Sequence, residues 1–407
     1  MTQTTFTPTP HSERLVHLDV LRGFALLGIL LVNFAWFSRP ILEMMLGPLP
    51  PGEGVDGMAA MAVQVLAEGK FYALFSMLFG AGFALMFERA RHAGGPFNRL
   101  FLRRLGLLFV FGLLHGLFIW SGDILLVYSL VGFLLWLLFR RAKPALLLTF
   151  AGLLMFIPSL LVLAFAGVLE LARFDQDLHQ EITTAISEDA EQLQQRIERG
   201  RAIYAEGSFA EAVGQRAREL WSLLSMPVFW VPPIVAYFLI GTAMMRSGRL
   251  KQPGDHPRFY ARLIQFGLVP GLVFSALGVW LMQNGDVYMP DMRLAAASFS
   301  MQAGAVLLSL AWLSLVVRYW HKLEFLAPAG RMALTLYLMQ SLFWTLVFYG
   351  YGLGLPAPGA AMQIMLALGF FALQVVFAHL WLARFHYGPM EWVWRSLTYG
   401  KAARMRG

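Results

Sequence analysis

Residues 103–141 read RRLGLLFVFGLLHGLFIWSGDILLVYSLVGFLLWLLFRR. Two apolar arms meet at a turn near Trp120–Gly122, and the basic pairs Arg103–Arg104 and Arg140–Arg141 close the stretch at its ends. Each arm approaches the ~20 apolar residues that a bilayer-spanning helix needs. Loops rich in Lys and Arg stay on the cytoplasmic side, so the hairpin leaves from the inside and returns to it. Within it stand two groups that hydrocarbon rejects, His115 and Asp123. An ionisable side chain inside a span is costly, and it marks a functional site by default.

The rest of the chain has the same character. Of its 407 residues, 58% are hydrophobic and only 14% are charged, and the mean hydropathy is +0.60. A soluble domain carries about a quarter charged residues, so this is a polytopic membrane protein. The net charge of +8 does not indicate a nucleic-acid partner, because the basic residues fall in short clusters at the ends of apolar runs, where the positive-inside rule puts them. With no cysteine there is no disulfide, thiolate nucleophile or Cys-ligated metal. Met1–Ser12 is polar and lacks the apolar core and cleavage site of a signal peptide, so the first apolar run is expected to stay as a span.

Taken in order, apolar runs at 18–38, 71–88, the two hairpin arms, 144–168, 226–246, 263–282, 295–317, 332–349 and 360–383 predict about ten transmembrane helices. Residues 58–69 suggest a short helix at the outer surface. Basic clusters at 88–104, 246–262, 318–322 and in the tail alternate with acidic or Gly/Pro-rich loops, which places both termini in the cytoplasm. Residues 169–225 break the pattern. They carry mixed charge and helix formers, and they predict a helical extracytoplasmic insertion, a hairpin whose second half is amphipathic. The plain alternative is a solvated linker. The expected organisation is an all-α bundle: five spans in 1–168, the insertion in 169–225, and five spans with a cytoplasmic tail in 226–407.

The polar residues set the chemistry. His115 lies six residues before the turn, about 9 Å below the outer surface at helical rise. Asp123 follows the turn and is expected near the outer interface, while Tyr128 is level with His115. A His115–Tyr128 hydrogen bond is therefore as good an expectation as a His115–Asp123 one. The imidazole is either a general base in a cavity or a structural contact between helices; Asp123 either orients it or caps the following helix. Asp19 and Arg22, three apart near the inner end of the first span, pair with each other or leave the Arg fork for a cytosolic anion. Asn33, about 16 Å higher, reaches the depth of His115. Lys70 opens the second span, chiefly as an interfacial anchor. Gly112 and Gly116 flank His115 at a spacing that marks close helix packing. Arg331 starts the ninth span, where Thr335, Tyr337, Gln340 and Ser341 put hydroxyls and an amide into one helix that needs partners or water for them. There is no HExxH or GxSxG motif, and no metal site is expected.

Four stretches carry a resemblance: LDVLRGFALLGILLVNF at 18–34, KFYALFSMLFGAGFAL at 70–85, the GLLHGLFIWSGDIL turn region and GRMALTLYLMQS at 330–341. In this order they resemble the YeiB-like family of bacterial inner-membrane proteins, whose C-terminal half is a domain of unknown function. The opening motif is similar to that of transmembrane acyltransferases of the acyltransferase-three and heparan glucosaminide acetyltransferase types. The resemblance implies transfer of an acyl group from cytosolic acyl-CoA to a carbohydrate or lipid acceptor, with no resident cofactor. In the acyltransferase-three pattern a catalytic His follows the first-span Arg by eleven residues; here Arg22 matches the Arg and Asn33 stands at the His position, so another His must act.

Three functions stay open. A transferase would hold acyl-CoA phosphates on Arg22, Arg103, Arg104 and Arg331, with His115 as base and Asp123 or Tyr128 orienting it, in a cavity open to both faces. A transporter or lipid-handling protein would line a pathway gated on one side with the same groups. A scaffold would use the insertion to bind partners.

Overall fold

The computed structural model describes residues 14–47, 49–50, 52–92 and 97–406. Among the described residues sixteen α-helices succeed one another: α1 (Val16–Phe34), α2 (Gly54–Leu66), α3 (Lys70–His92), α4 (Phe97–Phe118), α5 (Leu125–Phe139), α6 (Pro144–Met155), α7 (Ile157–Ala172), α8 (Gln176–Glu206), α9 (Phe209–Ser225), α10 (Pro227–Arg246), α11 (Pro257–Gln283), α12 (Met292–Tyr319), α13 (Ala327–Arg331), α14 (Ala333–Phe348), α15 (Ala360–Leu382) and α16 (Pro389–Tyr399). No strand forms among the described residues. Among them, eight helical stretches are long and apolar enough to cross a membrane. The helices α5 and α14 are apolar but shorter, 15 and 16 residues, and lie at the positions of two further expected spans.

Exposure separates inner from outer helices. The apolar windows of α10 and α1 are 67% and 61% buried, against 17% for α15. Leu137, Leu153, Leu373 and Leu380 are each more than half exposed. In water such a surface would aggregate; in a bilayer it faces lipid. At the centre, α1 packs against α13, α14 and α15, and α10 packs against α3 and α6. One apolar core thus joins the segments before and after the insertion.

Local differences from the sequence reading have identifiable causes. The fifth apolar run breaks at Phe156 into α6 and α7, where Pro158 at the start of α7 cannot continue the preceding hydrogen-bond ladder. The C-terminal tail, read as a basic flank, holds the amphipathic helix α16, which packs on α4 and α14. Of residues 169–225, the first four close α7 and the rest form the helices α8 and α9, joined at Gly207–Ser208. Ser208 and Glu211 form a reciprocal capping box that starts α9.

Candidate functional site

The arms of the 103–141 hairpin come close enough for chemistry because Gly112 carries no side chain. A Cβ at Gly112 would lie 2.2 Å from the Leu126 nitrogen. That approach lets the imidazole of His115, near the end of α4, reach across the turn to Asp123. His115 Nδ1 lies 3.0 Å from Asp123 Oδ2. Asp123 also accepts the first free amides of α5, Leu125 N–H at 3.2 Å and Leu126 N–H at 2.8 Å. It therefore orients the imidazole and starts the helix at once. Asp123 is 3% exposed, and Trp120 and Ser121 of the turn are buried with it.

The other imidazole nitrogen meets a residue from a distant part of the chain. Ser341 Oγ on α14 lies 2.6 Å from His115 Nε2. Carbonyls of Leu338 and Tyr337 are alternative acceptors for the hydroxyl at 3.2 and 3.3 Å, so the imidazole is the closest. Asp123 as a carboxylate only accepts, so the neutral imidazole on it carries its proton on Nδ1, and in that tautomer Nε2 accepts from the Ser341 hydroxyl. Nothing in the sequence singles out Ser341 among the membrane-embedded hydroxyls except its place in the GRMALTLYLMQS stretch. Tyr128 does not touch His115. Its hydroxyl bonds Ser76 Oγ at 2.7 Å and donates to the Tyr72 carbonyl at 3.1 Å, because its ring is drawn toward α3 and packs on Phe79 and Phe238.

A cavity of 370 Å³ runs from the basic face of the bundle to the edge of this network. Tyr128, Ile124, Leu125 and Tyr337 line its inner end. Tyr337 is the partition: its ring lies 5.2 Å from the His115 ring, and its hydroxyl accepts from Ile124 N–H at 3.4 Å. The middle is apolar, with Leu26, Phe79 and Leu108. Six arginines, Arg14, Arg22, Arg89, Arg104, Arg331 and Arg395, line it against two carboxylates, Asp19 and Glu391. Asp19 is held by both Arg22, at 2.7 Å, and Arg14, at 2.6 Å, so the expected Asp19–Arg22 pair forms within a larger cluster. Glu391 on α16 accepts Leu334 N–H at 2.7 Å and Thr335 N–H at 3.0 Å, and Thr335 Oγ1 donates to it at 2.5 Å. Thr335 thereby ties the start of α14 to α16. Arg331 donates to the His386 carbonyl at 3.3 Å, and its buried Nε has no protein acceptor. Arg104 stacks on Trp394 with 4.0 Å from guanidinium to ring centre. Arg103 is exposed and does not line the cavity.

Residues 244–401 match the family model described as "Protein of unknown function (DUF418)". Across 96% of both chains, this sequence is 36% identical to the uncharacterized protein YxaH of Bacillus subtilis (strain 168). It is 31% identical to the uncharacterized protein YeiB of Escherichia coli (strain K12), over 95% of this chain and 96% of that one. The chain belongs to the YeiB-like family. A protein of Bacillus acidopullulyticus, the uncharacterized 39.9 kDa protein in the amylase 3′ region, is 29% identical over 97% of this chain and 96% of its own. No solved structure matches.

The remaining candidate residues of this YeiB-like chain lie away from the cavity. Lys70 is not an anchor in the interface: it is 3% exposed and donates to the Gln64 carbonyl at 3.0 Å, because the turn between α2 and α3 folds over it. Asn33 is half-buried at the end of α1 and outside the cavity lining. Gln340 donates to Gln374 at 2.8 Å, which donates to the Leu336 carbonyl at 3.0 Å; this chain of amides links α14 to α15. Among the described residues no group of three His, Asp or Glu side chains is placed to hold a metal.

The side of the network away from the cavity is covered by α9. A Cβ at Gly116 would lie 3.1 Å from Leu220, and Arg216 donates to the Leu117 carbonyl at 3.3 Å and to Tyr351 at 2.6 Å. Glu219 is fully buried and accepts from Ser121 of the hairpin turn, from Tyr204 at 2.8 Å and from Gln215 at 3.0 Å. Burial outweighs these donors and raises its carboxyl above the usual range. The insertion is therefore bonded to the turn that carries Asp123.

Proposed function

We propose that this YeiB-like protein is a transmembrane acyltransferase of the bacterial cytoplasmic membrane. Its basic face is turned to the cytosol, in keeping with the positive-inside rule. It would move an acyl group from cytosolic acyl-CoA to a carbohydrate or lipid hydroxyl or amine on the other side. One observation carries the reading: an imidazole oriented by a carboxylate, with its second nitrogen on the Ser341 hydroxyl, lies directly behind Tyr337, which lines the inner end of a cavity with an arginine-rich lining. The arginine fork suits phosphate oxygens, and the unpartnered Arg331 Nε offers a further donor. The apolar middle suits the pantetheine arm and the acyl chain, and His115 acts as the base that takes the proton of an attacking hydroxyl.

A second reading, a transporter or lipid-handling protein, is favoured by the cover that α9 places over the far side of the network, where a two-faced cavity was the expectation for a transferase. A His–carboxylate relay inside a span serves a proton-coupled pathway as well as a base, so covalent transfer is what separates the two readings. Membranes containing the protein are supplied with radiolabelled acetyl-CoA, and label in the lipid and polysaccharide fractions is followed. Transfer that depends on the protein and disappears in His115→Ala supports the transferase. Equal incorporation with and without the protein rejects it.

A further inference from the structure

We infer that Ser341 is a nucleophile that carries the acyl group as an ester between two half-reactions; the inference rests on the acyltransferase reading and deepens it. Ser341 Oγ, His115 and Asp123 form a continuous relay with separations of 2.6 and 3.0 Å. They are 0%, 2% and 3% exposed. Hydroxyl, imidazole and carboxylate in this order, with the imidazole protonated on the carboxylate side, is the arrangement that activates a serine. A hydroxyl serving only as a contact between helices needs no such orientation.

The surroundings favour two steps over direct transfer. The relay lies between the inner end of the cavity, at Tyr337 and Ile124, and the cover formed by Leu220 and Arg216 of α9. Neither His115 nor Ser341 lines the arginine-rich cavity, and α9 covers the opposite side, so a donor in that cavity and an outer acceptor do not share one space at His115. A covalent carrier removes the need for one, because each substrate meets the relay from its own side in turn. Tyr337, one turn before Ser341 on α14, accepts from Ile124 N–H and keeps its own proton to donate to a carbonyl oxygen at the end of the cavity.

In the first step Ser341 Oγ adds to the thioester carbonyl while its proton passes to His115 Nε2. The carbon–sulfur bond then breaks, and the CoA sulfur leaves with the proton from Nε2. In the second step His115 takes the proton of the acceptor hydroxyl, whose oxygen attacks the serine ester. The ester bond to Ser341 Oγ breaks and Ser341 recovers the proton. No oxidant or reductant is consumed.

The test uses the full chain purified in detergent, with acetyl-CoA as the probe and no acceptor. Release of about one equivalent of CoA per protein, with an acetyl group mapped to Ser341 by peptide mass spectrometry, is the expected result. Ser341→Ala should bind acetyl-CoA and release none, and Ser341→Cys should carry the acetyl group on sulfur. Acetyl transfer to a membrane acceptor with no adduct, or at an undiminished rate in Ser341→Ala, overturns the carrier role and leaves the acyltransferase reading standing. An adduct on another residue overturns the carrier role as well. Absence of acetyl-CoA binding by the folded wild type overturns the acyltransferase reading and the inference with it.

Discussion

At the residue scale, Asp123 carries two duties that substitution can separate. It accepts the Leu125 and Leu126 amides and it holds the His115 imidazole. Asparagine still accepts amide protons at a helix start, so Asp123→Asn should cost less than about 1 kcal/mol of stability, where Asp123→Ala costs about 1–2. The same Asn no longer enforces the productive imidazole tautomer, and in serine relays that loss lowers turnover by about 10⁴. The prediction is a near-normal unfolding midpoint with turnover reduced by three orders of magnitude or more. Turnover that tracks stability across the Asn and Ala variants would make Asp123 structural only. His115 and Asp123 were legible in the sequence because ionisable groups stand out against apolar arms. Ser341 stood out only as one of several hydroxyls in its span, and its pairing with His115 was not legible, because a serine inside a span satisfies itself on backbone carbonyls and its partner is 226 residues away.

At the element scale, the hairpin depends on helix contact at Gly112. A Cβ there meets the Leu126 backbone, which cannot yield as a side chain tip would. Gly112→Ala should destabilise the protein by about 1–3 kcal/mol, and Gly106→Ala, with nothing within 4 Å of the added carbon, should be neutral or stabilising. Equal effects measured by thermal unfolding in detergent would contradict the packing. The insertion makes a pH prediction. Burial raises Glu219, and likewise Glu391 of α16, above the ordinary value of 4.5. A raised carboxyl binds its proton more tightly when folded, so its stabilising contribution is full below the ordinary value and is lost as pH rises through the folded value. The unfolding midpoint should fall as pH rises from the ordinary value of 4.5 to the raised one, and Glu219→Gln should flatten the slope; an unchanged slope would mean that the buried carboxyl does not titrate in this way. The hairpin and the insertion were readable because each differs sharply in composition from its neighbours. The helix α16 was hidden because eleven residues with basic flanks look like a cytoplasmic tail.

At the scale of the whole molecule, the cavity brings together residues from Arg14 to Tyr399, and no local pattern announces such an assembly. Orientation, by contrast, is an expectation from the distribution of Lys and Arg along the chain. The absence of cysteine allows a direct check with single-cysteine variants. Ser187→Cys in α8 and Lys401→Cys beyond α16 both lie at exposed positions. In intact cells an impermeant maleimide should label the first, and it should reach the second only after permeabilisation; the reverse would invert the protein and place the arginine-lined cavity outside. The reading as an acyltransferase rests above all on what enters that cavity. The most direct measurement is acetyl-CoA binding to the purified, monodisperse protein, wild type beside Arg22→Ala. The account predicts saturable binding that the substitution weakens at least tenfold and that rising salt also weakens, since arginine–phosphate contacts are screened. Binding that is absent, or indifferent to both, would contradict it.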